Sequence, residues 1–330
     1  MRTQGGTGGP GVLLTGARFG PLEIAFWLVL GSMGLVFPQY LVLGSQILIV
    51  ALLALSLDLI LGYAGIVSLG HAAYFGVGAY TAGLLAAHGW GEPLSGLALA
   101  AVVGAALGFP ISFLVVRGGD LSRLMVTLGI GLMLYEAANK AAGVTGGVDG
   151  LAGIEMWRLF GRYAFDIEGR IAYAYCLAVT LFLFVVMRHI VRSPFGLALR
   201  GIRENSRRMP ALGTSVRARQ VAIFTASAGI AAVAGALLTQ TTQFVGLDTL
   251  GFARSAELLI ILVLGGTGRL YGALVGAAVY MIAQDVLSGM NPIYWQFWIG
   301  LLLIAVVLLG RGGIMGLAER IGRRARRGMR

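Results

Sequence analysis

The chain has 330 residues, of which 58% are hydrophobic and only 12% charged, with 52 glycines and a mean hydropathy of +0.85. A soluble protein carries about twice that charge and about half that glycine, so no water-facing surface can be built from this composition and the bilayer is the solvent. The net charge of +11 comes from 25 basic residues, every one of them arginine except Lys140.

In chain order, residues 1 to 20 are glycine-rich and poor in apolar side chains, and read as a disordered cytoplasmic tail. Apolar stretches of the length that crosses ~30 Å of hydrocarbon then follow without a gap wide enough for a soluble domain. They run near 23 to 40, 44 to 62, 68 to 88, 95 to 116, 122 to 142, 171 to 191, 219 to 241, 254 to 268, 270 to 288 and 294 to 311. The reading is an all-α, polytopic membrane domain over residues 21 to 312 with about ten transmembrane helices. It has an external loop over 143 to 170 and a basic loop over 192 to 217, and a basic cytoplasmic tail over 313 to 330 closes the chain. The first apolar stretch has no small-x-small cleavage site and a second span follows at once, so it is read as a span rather than a signal peptide.

The arginines orient these spans. With the N-terminus inside, ten crossings place 20 of the 25 basic residues on the cytoplasmic side, leaving Lys140, Arg158, Arg162, Arg170 and Arg254 outside. Both termini are then cytoplasmic. Nucleic-acid binding is excluded, because the basic residues lie between apolar segments and neither a continuous basic face nor interleaved aromatics is present. Lys140 follows Asn139, so no G-x-x-x-x-G-K-[ST] phosphate loop exists and the chain cannot hydrolyse ATP by that device. The single Cys176 forbids an internal disulfide, and His71, His88 and His189 have no metal-ligand spacing; no metal, cofactor or catalytic residue is expected.

Two glycine clusters interrupt the spans. Gly62 to Gly70 reads as a broken or re-entrant helix, and the short span 254 to 268 ends in Gly265-Gly266-Thr267-Gly268. Irregular backbone at membrane depth needs protein or water around it, so both clusters face the interior. A glycine-interrupted segment in each half also points to inverted repeats, here residues 44 to 142 and 219 to 311. The small-residue pairs Gly104/Gly108 and Gly272/Gly276 read as helix contacts. Among ionisable residues within spans, Glu136 and Lys140 have the spacing of a helical ion pair, as do Arg254 and Glu257. Asp58 lies near a cytoplasmic helix end, and Asp285 has no partner nearby in sequence.

The run G-Y-A-G-I-V-S-L-G-H-A-A at 62 to 73 resembles the signature of the permease subunits of bacterial branched-chain amino acid ABC importers, the LivM type. Three further segments agree in order and spacing: Thr145 to Leu151, Ser193-Pro194-Phe195-Gly196 running into Arg200 to Asn205 and Leu212-Gly213, and Leu264 to Gly268 with Gly272 and Gly276. The resemblance covers about residues 40 to 312. It implies a type II importer-like permease fold in the bacterial inner membrane, paired with a second homologous permease, two cytoplasmic ATPase subunits that use the ATP, and an external solute-binding protein.

It further implies an ATPase-coupling element built from Arg200, Arg203, Glu204, Asn205, Leu212 and Gly213. In the bland alternative these arginines only set topology and bind lipid headgroups. Ser206-Arg207-Arg208-Met209-Pro210 departs from the alanines usual there, and Pro210 limits helix continuation. For the substrate path the residues of choice are Tyr63, Gly65, Ser68, His71 and Tyr74, where glycine backbone and polar side chains interrupt an apolar wall; the alternative is that they serve packing alone. The rival functions are an ion-coupled transporter working through Asp285, Glu136 or Glu257, and a permease of the same superfamily for urea, amides or sugars.

Overall fold

A computed structural model of the chain describes residues 20 to 165, 168 to 309 and 312 to 316, so the tails expected over 1 to 20 and 313 to 330 lie almost wholly outside the described residues. In order the helices are α1 (Pro21–Val36), α2 (Leu41–Asp58), α3 (His71–Ala87), α4 (Pro93–Arg117), α5 (Asp120–Lys140) and α6 (Ala142–Thr145). They continue with α7 (Arg170–Arg192), α8 (Pro194–Asn205), α9 (Val216–Thr242), α10 (Phe252–Gly265), α11 (Leu270–Met290) and α12 (Trp295–Leu309). Among the described residues the only extended pairings are the isolated bridges Leu151 to Val245 and Leu159 to Tyr163. The chain is an all-α polytopic membrane protein.

Each expected span coincides with one of the long helices, and α8 is the amphipathic helix inside the basic loop. Length and composition suffice for a crossing in six of them: α2 with its flanking turns, α4, α5, α7, α9 and α11. The others are shorter. The 17 residues of α3 and 14 of α10 follow irregular segments, and α3 starts inside the bundle. Ser56 touches His71, yet α2 and its last turn continue seven residues further to Tyr63, about 10 Å of helix rise. The segment 64 to 70 is non-helical and leads from that turn to α3, the break expected from its glycines.

The bundle is organised around α2 and α9. In their most apolar windows 72% and 78% of residues are buried, against 11% for α5, which leaves α5 facing lipid or another chain. Helix α9 is approached closely from two sides because glycine removes the side chains between the backbones. A Cβ on Gly78 of α3 would overlap the backbone of Ala232, and one on Gly235 would overlap the carbonyl of Phe75. From the other side Gly104 and Gly108 of α4 rest on Ala232 and Ala228, and Gly272 and Gly276 of α11 seat α10 at Gly265.

Contacts repeat between the halves. Helix α4 packs on α9 as α11 packs on α2, α3 packs on α4 as α10 packs on α11, and α2 and α9 lie against each other. In this order α3 corresponds to α10. The break at 64 to 70 therefore corresponds to residues 243 to 251, and the Gly265–Gly268 cluster to residues 88 to 92. The two glycine clusters are not repeat mates; they touch, as described below.

One end of the bundle gathers the arginine-rich segments. There Glu23 at the start of α1 pairs with Arg188 at 2.6 Å and Arg192 at 3.8 Å near the end of α7, and Arg117 and Arg217 line one cleft. At the opposite end Gln240 of α9 accepts from the Tyr175 hydroxyl and donates to the Pro93 carbonyl, both at 2.8 Å. The segment Thr145 to Leu151 closes this end. It turns through left-handed Gly146, Gly147 and Gly150 and joins Val245 by paired backbone hydrogen bonds of 2.8 and 3.0 Å.

The close crossing yields a test. Replacing Gly235 by alanine is expected to destabilise the detergent-solubilised protein by about 1–3 kcal/mol, because the methyl must displace the α3 backbone. At exposed Gly129 of α5, where nothing lies within 4 Å, the same replacement is expected to be neutral or stabilising by up to about 1 kcal/mol. Thermal unfolding of the two variants side by side checks both signs.

Candidate functional site: a junction between α8 and the broken helices

Helix α2 does not end in a normal cap. After Asp58 it widens into a π-turn over Leu59–Tyr63, the Ile66 amide returns to the Ile60 carbonyl at 2.8 Å, and Gly65 takes a left-handed conformation at φ +70°. A π-turn and a left-handed residue leave backbone groups without helical partners, and in a membrane these must be satisfied by protein. Here the partners come from far along the chain. The Arg203 guanidinium on α8 donates to the Gly62 carbonyl, and the Asp58 carboxylate accepts from the Gly268 amide at 2.7 Å.

Glycine is required where these groups converge. A Cβ on Gly62 would collide with Asp58 Oδ1 and the Gly268 backbone, and one on Gly65 would lie 3.1 Å from Arg203 Cγ, besides the strain of its φ. The break after α2 and the break after α10 are thus one structure, seated on each other through glycine and bound to α8 through Arg203.

Helix α8 is built to reach this junction. Ser193 caps it by accepting from the Gly196 amide, Pro194 opens its first turn, and Gly196, Leu199 and Ile202 bury one face. Arg200 and Arg203, three residues apart, project on one side: Arg200 lies 5.3 Å from the centre of the buried Tyr63 ring, a cation–π contact, while Arg203 reaches Gly62. The rest faces water. Glu204 and Asn205 are exposed, and Asn205 Oδ1 accepts from the amides of Arg207 and Arg208 at 3.1 Å, ending the helix five residues before Pro210. Pro210 falls in a 3-10 turn, Met209 Sδ packs on Gly201, exposed Leu212 follows, and Gly213 reverses the chain at φ +76°.

The candidate path residues divide into two groups. Tyr63 and Gly65 belong to the junction, and Tyr63 also borders a cleft of about 240 Å³ with Arg188, Arg192, Arg200 and Arg269. Ser68, His71 and Tyr74 lie deeper, at 0%, 1% and 2% exposure. His71 Nε2 is 2.9 Å from Ser56 Oγ and 3.4 Å from Ser227 Oγ, joining α2, α3 and α9, and its ring meets Tyr74 edge-on at 5.8 Å. Ser68 Oγ and His71 Nδ1 have no partner among the described residues. Helix α3 begins between α5 and α10: Thr127 Oγ1 accepts from the Leu69 amide at 3.1 Å and Ser255 Oγ from the Ala72 amide at 3.0 Å.

Sequence reasoning misses Asp58 and Gly268 as members of the site. Asp58 stands where expected along the chain but is fully buried, and its partner is 210 residues away. The two expected ion pairs fare differently. Arg254 and Glu257 pair at 2.9 Å, with Asp248 3.8 Å from the same guanidinium, whereas the described residues show no pair between Glu136 and Lys140. Both of those side chains lie toward the sparsely buried surface of α5, where water or headgroups solvate them at no cost in packing. Asp285 is exposed on α11. No group of three metal-ligating side chains occurs among the described residues.

Residues 40–307 match the family model for the permease component of branched-chain amino acid transport systems. The high-affinity branched-chain amino acid transport system permease protein LivM of Escherichia coli K12 is 31% identical over 305 residues, covering 84% of this chain and 70% of that protein. Its counterpart in Salmonella typhimurium LT2 is 30% identical over the same shares, and the corresponding LivH protein of Escherichia coli K12 is 25% identical over 82% of this chain and 92% of its own length. No solved structure matches. With four-fifths of its length matched and the broken helices and α8 inside the match, the chain belongs to the family of branched-chain amino acid transport system permease components.

Proposed function

We propose that this chain is one of two permease subunits of an ATP-driven importer that carries branched-chain amino acids across a bacterial inner membrane. Its partners are a second permease of the LivH kind, two ATPase subunits and an external solute-binding protein. The arginine-rich end is cytoplasmic, as the positive-inside rule requires, and both termini lie there. The observation that carries the reading is the Arg203 contact: a water-facing helix is bonded directly to the backbone of a broken transmembrane helix.

The mechanism follows from that bond. Docked in a cleft of an ATPase through Glu204, Asn205, Leu212 and the surrounding arginines, α8 moves when the two ATPases close on ATP. Arg203 and Arg200 transmit the movement to Gly62 and Tyr63, and Asp58 transmits it across to Gly268. The two breaks separate, and the segment Gly62 to Tyr74, with Ser68 and His71, becomes the wall of the inward path. The chain carries no phosphate loop, so the hydrolysis belongs to its partners. The exposure of Glu136 and Asp285, which lie on the outer faces of α5 and α11 rather than inside the bundle, weighs against ion coupling through them.

Co-reconstitution with the two ATPases, the second permease and the binding protein in proteoliposomes tests the reading by uptake of labelled L-leucine. Uptake that continues when the ATPases are inactivated overturns it. Arg203→Ala is expected to lower uptake at least tenfold per ATP hydrolysed, and Arg203→Lys to restore part of it, because lysine keeps one donor but loses the planar fork. A second expectation concerns Asp58. Replacement by alanine leaves the Gly268 amide without its acceptor at a cost of about 1–3 kcal/mol, so hydrogen exchange at residues 266 to 269 accelerates, whereas Asp58→Asn, which keeps an acceptor oxygen, changes it less.

A further inference from the structure

Two cavities meet at a pair of side chains outside the junction. The first, about 520 Å³, opens between α10, α11 and α12 and is lined by Asp248, Glu257, Tyr280, Trp295 and Gln296 among others. The second, about 190 Å³, lies against Ile49, Val50 and Leu53 of α2, Phe75 of α3, Leu238 of α9 and Met281 of α11. Arg254 and Gln284 border both. The inner chamber takes walls from both halves of the chain, as expected of a binding site at the interface of two repeats.

The signs of charge select the ligand. Arg254 Nη1 is 2.9 Å from Glu257 Oε2, its Nη2 is 3.8 Å from Asp248 Oδ2, and the Arg254 and Glu257 side chains are only 28% and 16% exposed. Such a pair adds little stability, since desolvation offsets its attraction, and ionisable groups within a membrane domain mark solute pathways. A simple anion would meet Glu257 and Asp248; a simple amine would meet Arg254. A zwitterion satisfies both, with its carboxylate on the guanidinium and its ammonium between the carboxylates. The adjoining chamber is apolar apart from Gln46, Arg254 and Gln284, and fits an aliphatic side chain.

We infer that Arg254, Glu257, Gln284 and the chamber behind them form an α-amino-acid site in the permease itself, where the zwitterionic head is held at the rim and an aliphatic side chain enters the core. The inference rests on the importer reading above and adds to it a selectivity step within the membrane. The site leads toward the junction: Ser56, which touches His71, lies one turn beyond Leu53 on α2, and Gly62 lies six residues further.

The test uses the complete assembly in proteoliposomes and the uptake of L-leucine and L-valine, which differ by one methylene. Leu238→Phe and Met281→Phe each shrink the chamber and are expected to lower the leucine-to-valine uptake ratio at least fivefold. Arg254→Gln is expected to reduce uptake of both at least tenfold, with Arg254→Lys partly restoring it. A ratio unchanged within twofold in both phenylalanine variants overturns the site while leaving the importer reading intact. A wild-type assembly that takes up neither amino acid fails the importer reading itself, and the site falls with it. A measurement without variants guards against misfolding: photoreactive diazirine leucine, irradiated with the wild-type assembly, is expected to label peptides of α9 and α11 around Leu238 and Met281. Labelling confined to other segments overturns the inference.

Discussion

Everything near the arginine-rich end depends on how two gaps in transmembrane helices are closed. Where a helix breaks at membrane depth, an amide or carbonyl left unpaired costs several kcal/mol. The chain answers with one acidic and one basic side chain. Arg203 takes the Gly62 carbonyl and Asp58 takes the Gly268 amide, while the absent side chains of Gly62 and Gly65 leave room for the approach. The charges are thereby partly offset as well, for Asp58 and Arg203 act on the same few residues of backbone.

This arrangement ties together segments that are far apart in the chain and differ in surroundings. Asp58 and Gly268 belong to the first and second halves, and Arg203 belongs to neither repeat but to the linker between them. The repeat packing of α4 on α9 and α11 on α2 builds a symmetric frame. The linker breaks that symmetry, because it supplies one α8 that binds at the break after α2, and the equivalent region of the other half, 243 to 251, instead joins the loop at Leu151.

The helices were legible because the bilayer allows few alternatives. A run of apolar residues near 20 long has to be helical, so the ten stretches coincide with α1 to α5, α7 and α9 to α12, although α1, α3, α10 and α12 are shorter than a full crossing needs. The glycine breaks were legible for the same reason. Their partners were not. Contact between Asp58 and Gly268 over 210 residues leaves no spacing signal, and the two glycine clusters invite the reading that they are repeat mates when they are in fact neighbours. Arg203 resembles any other arginine of a basic loop, and only the face of α8 on which it lies, three residues from Arg200 and one from buried Ile202, separates it from Glu204 and Asn205. Whether the expected path residues carry solute is a question of side-chain direction, which periodicity does not encode; Ser68, His71 and Tyr74 turn inward to serine and aromatic partners or to none.

The two ends of the bundle are closed by bonds of unequal kind. At the end opposite the arginines, Gln240 holds α7 and the start of α4 to α9, Thr239 donates to the Ala79 carbonyl at 2.9 Å, and the Leu151 to Val245 bridge covers them. These bonds are spread over four helices and none lies on α8. At the arginine-rich end the breaks are held by the charged contacts of Arg203 and Asp58 and by the Arg200 guanidinium over Tyr63, around closely approaching glycine backbone. Between the two ends lie His71 and its serines, whose hydrogen bonds cross from α2 to α3 to α9.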